Sequence, residues 1–141
     1  MGKINMGRLI LGGIVAGIVS DLLGYVVDGV LLAQHWANGM KGLGHDNFST
    51  SALIGFNVIG LVTGFLAVWV YTAIRPRFGA GMGTALLAAV VVWIVGSALP
   101  NAGFMVFAGL FSKHLALYTT LGALVEIMVG TVAGAALYKE D

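Results

Sequence analysis

Four long apolar runs separated by short polar breaks set the layout of this chain. They cover about residues 7–34, 51–74, 80–110 and 115–138, each long enough to cross a bilayer, for which roughly 20 apolar residues suffice. Arg8 marks the head of the first run and Trp36 stands where an interfacial aromatic would anchor its far end. The polar, glycine-containing segment 37–50 reads as the longest loop. Ser49 or Thr50 is positioned to cap the second helix, and Arg75-Pro76-Arg77 reads as a tight turn after it. Pro100-Asn101 falls late in the third run. That run is either one helix kinked at Pro100, or a shorter span followed by an interfacial or re-entrant piece over 102–112. Lys113-His114 opens the fourth helix, and Tyr138 to Asp141 closes it at the opposite surface.

The pattern predicts an all-α membrane protein: a single integral domain over 1–141, folded as a four-transmembrane-helix bundle. Met6-Gly7 and Met82-Gly83 head the first and third helices, while the second and fourth share Gly60-x-x-x-Gly64 and Gly130-x-x-x-Gly134. These matches suggest two pseudo-repeated helical hairpins related by an axis along the membrane normal. Lys3 and Arg8 precede the first apolar run, but the run continues past Asp21 to about Ala33 with no cleavage pattern, so a retained helix is expected rather than a signal peptide. Met1-Gly2 lacks the Ser or Thr at position 6 that N-myristoylation requires. Lys3, Arg8, Arg75, Arg77 and Lys139 fall at one surface and only Lys41 and Lys113 at the other. The positive-inside rule then puts both termini in the cytoplasm and the 37–50 loop outside, in the cell (inner) membrane of a bacterium.

Composition agrees with the pattern. With 59% hydrophobic and 9% charged residues, the chain has too little charge to cover a soluble surface. A net charge of +1 gives nucleic acid nothing to bind, and the absence of cysteine excludes disulfides, thiolate nucleophiles and Cys-ligated metals. Most of the 22 glycines lie inside the apolar runs, where small residues allow close helix approach. Gly13, Gly17, Gly24, Gly60, Gly64, Gly122, Gly130 and Gly134 are the expected packing positions.

Candidate chemistry lies with the acids. Asp46, Glu140 and Asp141 are placed in water, but Asp21, Asp28 and Glu126 lie within spans that hold no Lys or Arg at comparable depth. An ionisable group inside a membrane is expensive enough to be a functional-site candidate. Gly13, Gly17, Asp21, Gly24 and Asp28 share one helical stripe, Glu126 sits between Gly122 and Gly130, and Asn57 shares a stripe with Gly60 and Gly64. Counting about 1.5 Å per residue from Arg8 puts Asp21 near the midplane and Asp28 further out. Asp28, Asn57 and Asn101 would then share one level, with Asp21 and Glu126 beneath, as a proton-, cation- or polar-network site.

No catalytic set is visible. His35, His45 and Asp46 lack ligand spacing, so no metal is expected. Gly79-x-Gly81-x-Gly83 lacks the Lys-Ser/Thr of a phosphate loop, and no other cofactor motif occurs. Met6-Gly7-Arg8, Gly12-Gly13 and Gln34-His35-Trp36 give a layout that resembles small, uncharacterised four-helix bacterial integral membrane proteins, a resemblance that implies the fold and no activity. The leading reading is a non-enzymatic bundle working as a homo-oligomer or as an accessory subunit among other membrane subunits. Its motive is that the glycine stripes offer more packing surface than four helices consume. The alternative is a proton-coupled small-molecule or ion transporter using Asp21 and Glu126.

Overall fold

The computed structural model describes residues 3–140; Met1, Gly2 and Asp141, and the expectations attached to them, lie outside the described residues. Among the described residues the regular structure is entirely helical. Four helices are long and apolar enough to cross a membrane: α1 (Met6–Leu31), α3 (Thr50–Phe78), α4 (Met82–Phe107) and α5 (Lys113–Leu137). A shorter helix, α2 (Ala33–Gly42), follows α1 directly. At 26 residues, α1 and α4 are each roughly 39 Å long, more than the ~30 Å of a hydrocarbon core.

The helix starts follow local chemistry. Asn5, Ser49 and Ser112 have extended backbones, and their side-chain oxygens accept hydrogen bonds from the N–H groups of Arg8, Ala52 and Leu115. Two expectations need correction, and one alternative is decided. Residues 37–50 are not one loop: α2 occupies the first part, starting after a break at Leu32. Its residues Ala33, Trp36, Ala37 and Met40 recur at helical spacing, so it has an apolar face although its average character is polar. The turn is not at Arg75–Arg77. Pro76 sits in the last turn of α3, where its missing N–H releases only one carbonyl, and the chain reverses at Gly79 and Gly81, whose φ values of 84° and 129° favour glycine. Of the two alternatives for the third run, the structure takes the single helix: it continues past Pro100 to Phe107, and a short turn with Gly109 at φ 69° leads to α5.

Two of the long helices widen towards the α2 end. In α1 the segment Tyr25–Leu31, and in α4 the segments Ile94–Ala98 and Ala102–Phe107, adopt π-helical turns. The N–H groups of Leu32, Leu99 and Ala108 bond the carbonyls of Val27, Ile94 and Gly103, each five residues back. For Ile94–Ala98 the cause is Pro100, which offers no N–H and whose ring crowds the carbonyl of Gly96 in a regular helix.

Packing divides the molecule into two halves. Near the end that carries both termini the helices interlock through small residues. A Cβ on Gly13 would stand 2.9 Å from Phe65 Cα, one on Gly17 2.6 Å from Leu61 Cα, and one on Gly12 2.6 Å from the Gly134 carbonyl oxygen. Thus α1 lies between α3 and α5, while Ala85, Ala88 and Ala89 seat α4 on the opposite side of the same pair. Leu9, Ala16, Val68, Tyr71, Ala135 and Tyr138 complete this core. Tyr138 ties the ends together: its hydroxyl accepts the Asn5 N–H at 3.3 Å, and Arg75 lies 5.5 Å above its ring and 3.3 Å from Glu140. The other half is open. Every buried residue of α3 belongs to Gly64–Thr72, and none to its first turns.

Candidate functional site

The open half contains a cavity of about 760 Å³, and Asp21, Asp28, Asn57, Asn101 and Glu126 all line it. Each long helix contributes a face at helical spacing: Asp21, Gly24 and Asp28 from α1; Leu53, Phe56, Asn57 and Gly60 from α3; Ser97, Asn101 and Met105 from α4; Thr119, Ala123 and Glu126 from α5. The apolar face of α2, with Asp46 and Phe48 of the following loop, forms the roof. Among the described lining residues no side chain is basic.

The carboxyl groups differ in their surroundings. Oδ1 of Asp28 accepts two hydrogen bonds, from Trp36 Nε1 at 2.9 Å and from the Thr119 hydroxyl at 2.8 Å. A straight α-helix would hold Asp21 and Asp28 on one line; the wide turn from Tyr25 carries Asp28 towards α5, where it joins α1, α2 and α5. Asp21 lies against the backbone of α3 at Gly60, where a Cβ would collide with its carboxylate. Glu126 reaches across to α1: a Cβ on Gly24 would be 3.3 Å from its Oε2, while its Oε1 is buried without a hydrogen-bond partner among the described residues. One turn below, the Ser20 hydroxyl donates to the Glu126 carbonyl at 3.1 Å.

The amides are quieter. Asn57 is exposed and donates to the Leu53 carbonyl of its own helix at 2.8 Å. Asn101 donates to the Thr120 hydroxyl at 2.9 Å, and the neighbouring Trp93 donates to the Thr120 carbonyl at 2.8 Å, together fastening α4 to α5. All eight packing glycines face a neighbouring helix; Gly122, for example, would place a Cβ 2.5 Å from Val27 Cγ1. His35 packs edge-on against Tyr118, with centroids 5.9 Å apart.

Sequence reasoning misses the roof. Phe56, Phe48, Trp36 and Phe111 form a chain of edge-to-face contacts with centroids 5.4, 5.5 and 5.4 Å apart. It also misses Thr119, which stands seven residues before Glu126 and so shares its helical face. Among the described residues no three His, Cys, Asp or Glu side chains gather in a way that could hold a metal ion. The arrangement defines a class: an all-helical protein with four potential membrane-crossing helices around an acidic cavity. In comparisons with known proteins, the chain matches no family model, no curated protein and no solved structure.

Proposed function

We propose that this protein is a four-transmembrane-helix bundle of the cell (inner) membrane, with both termini cytoplasmic, acting as a proton-coupled small-molecule or ion transporter. Asp21 and Glu126 are its protonation sites. One observation carries the reading: acids and amides from four separate helices line one cavity, and no described lining residue is basic. Charged residues at the bilayer centre cost about 2.5–3.5 kcal/mol on insertion scales, whereas interhelical hydrogen bonds average only ~0.6 kcal/mol in a well-studied case. Asp28 is accounted for by its two donors; Asp21 and Glu126 are not. The cavity lies in the α2 half of the molecule, which the distribution of basic residues would put on the outer side. The matching lengths of α1 and α4, each headed by Met-Gly and each ending in a wide turn, support a pseudo-repeat of two hairpins.

The test is transport in proteoliposomes containing an internal pH indicator, challenged with a panel of monovalent inorganic cations and organic amines. Substrate-dependent proton movement is expected from the native chain and none from Asp21→Asn or Glu126→Gln at equal protein incorporation. Unchanged proton movement in both variants would refute the assignment.

A second reading, an oligomeric or accessory subunit, loses one support, because the glycine stripes are filled within one chain. It retains another: Gly83, Gly96 and Gly103 on α4 have nothing within 4 Å of where a side chain would begin. Native mass spectrometry from the protein's own membranes separates the two, a stoichiometric complex with other chains favouring the subunit.

A further inference from the structure

The chemistry of the cavity narrows what it can hold. At about 760 Å³ it falls in the size range of small-molecule sites, roughly 300–1,000 Å³, and is far larger than a bare metal ion requires. Among the described residues no cluster suits a metal. The ionisable side chains lining it among the described residues include the acids Asp21, Asp28, Asp46 and Glu126 and no base.

The acids are divided by the bonds they already make. Asp28 is committed to Trp36 and Thr119, and so holds α2 over the cavity. At the floor, no donor among the described residues reaches the carboxyl of Asp21, and Oε1 of Glu126 is buried and unpaired. A cation arriving between these two would supply the missing partner. Opposite the floor, the aromatic rings of Trp36, Phe48 and Phe111 line the cavity, and such rings suit an apolar body or positive charge.

We infer that the cavity binds an organic ammonium cation with a compact apolar body, its charged group between Asp21 and Glu126 and its body beneath Trp36, Phe48 and Phe111. This rests on reading the cavity as the transport site. A zwitterionic phospholipid headgroup fits less well, because its phosphate would enter a space whose described lining has no basic side chain to receive it. A neutral molecule of the same shape could use the roof but would leave the floor unpaired, and an unpaired buried polar group is penalised.

The experiment is calorimetric titration of the full chain, purified in a neutral detergent, with 2-phenylethylammonium, 2-phenylethanol, phenylacetate and methylammonium. 2-Phenylethylammonium is expected to bind about tenfold or more tightly than the other three, since it alone brings both N–H donors with positive charge to the floor and an apolar ring to the roof. Glu126→Gln should weaken it by about tenfold, Asp21→Asn should also weaken it, and Glu140→Gln, at the far end of the molecule, should not. Should Glu126→Gln fail to fold, Glu126→Asp and the selectivity of the native chain decide the question in its place. Equal binding of 2-phenylethanol, or affinity unchanged within about twofold in both floor variants, overturns the inference. Proton flux with inorganic cations but no ammonium binding overturns it while leaving the transport reading intact. Ammonium binding without flux supports it and removes the transport reading.

Discussion

Replacing Gly64 by alanine puts a methyl group into the closest backbone approach between α1 and α3. The new Cβ would lie 2.5 Å from Gly17 Cα and 2.8 Å from the Ala16 carbonyl carbon, where ordinary contacts begin near 3.4 Å. Both neighbours are backbone, so no side chain can turn aside. The helices must part by roughly 1 Å, and a gap of that order forfeits a quarter to a half of each dispersion contact along the seam. Overpacking of this kind costs about 1–3 kcal/mol. Gly55→Ala, on the same helix, is the matched control: nothing lies within 4 Å of its Cβ position, and relief of glycine's backbone entropy is worth up to about 0.5–1 kcal/mol. The entropy relief is common to both variants and cancels, so they should differ by about 1–3 kcal/mol although their chemistry is identical. Unfolding in mixed micelles with increasing sodium dodecyl sulfate, followed by tryptophan fluorescence, measures the difference. Coincident curves would mean that α1 and α3 do not meet at Gly17 and Gly64, and the packing order of the helices would fall with them.

Further outcomes follow from other contacts. Thr119→Val and Trp36→Phe each remove one donor from Asp28 and should each destabilise by about 1–2 kcal/mol in the same assay, with the double variant non-additive because both act on one oxygen. Tyr138→Ala should cost about 3–5 kcal/mol, since the ring is 5% exposed and packs on Tyr71. Glu140→Gln should cost less than about 1 kcal/mol, because its ion pair with Arg75 is partly solvated. The chain has no cysteine, so single replacements report topology cleanly: Asp46→Cys should react with a membrane-impermeant maleimide on intact cells, and Ala80→Cys only after permeabilisation. Reversed labelling would invert the proposed orientation.

What is legible in the sequence is the part governed by local rules. Long apolar runs, Ser49 as a cap and glycines flanking the acids depend on residues within one or two turns of each other, and these yield the four long helices and their inward faces. The segment after Leu32 reads as a loop because its average is polar, although Ala33, Trp36, Ala37 and Met40 stand at helical spacing. Pro76 reads as a breaker because proline usually is one. Its position in the last turn, with Gly79 and Gly81 just beyond to take the left-handed backbone, decides otherwise. The wide turn at Tyr25–Leu31 has no proline to announce it, and no sequence feature accounts for it. The aromatic roof joins positions 36, 48, 56 and 111, a relation that exists only once α2 has folded over the open half.

The placement of the acids follows from the same glycines that close the other half. On α1, Asp21 is one turn beyond Gly17 and Gly24 one turn beyond Ser20; on α3, Gly60 is one turn beyond Gly64; on α5, Glu126 is one turn beyond Gly130. Gly17 meets Gly64, and Gly130 meets Ala16, backbone to backbone, with the Ser20 hydroxyl beside Gly130. One turn further along, the same seams no longer close backbone to backbone: Gly60 receives the carboxylate of Asp21, and Gly24 that of Glu126. Each acid is thus seated on a glycine of the opposing helix, at the height where close packing stops and the cavity begins. Its position is set by contacts within the chain, so the proposed cation, if bound at the floor, would be spared much of the ordering cost that a flexible site bears. A larger residue at Gly24 or Gly60 would act on the carboxyl directly, whereas one at Gly64 or Gly130 acts on the whole helix packing. The four glycines therefore separate, within two adjacent turns, the residues that hold this fold together from those that seat its two cavity carboxyl groups.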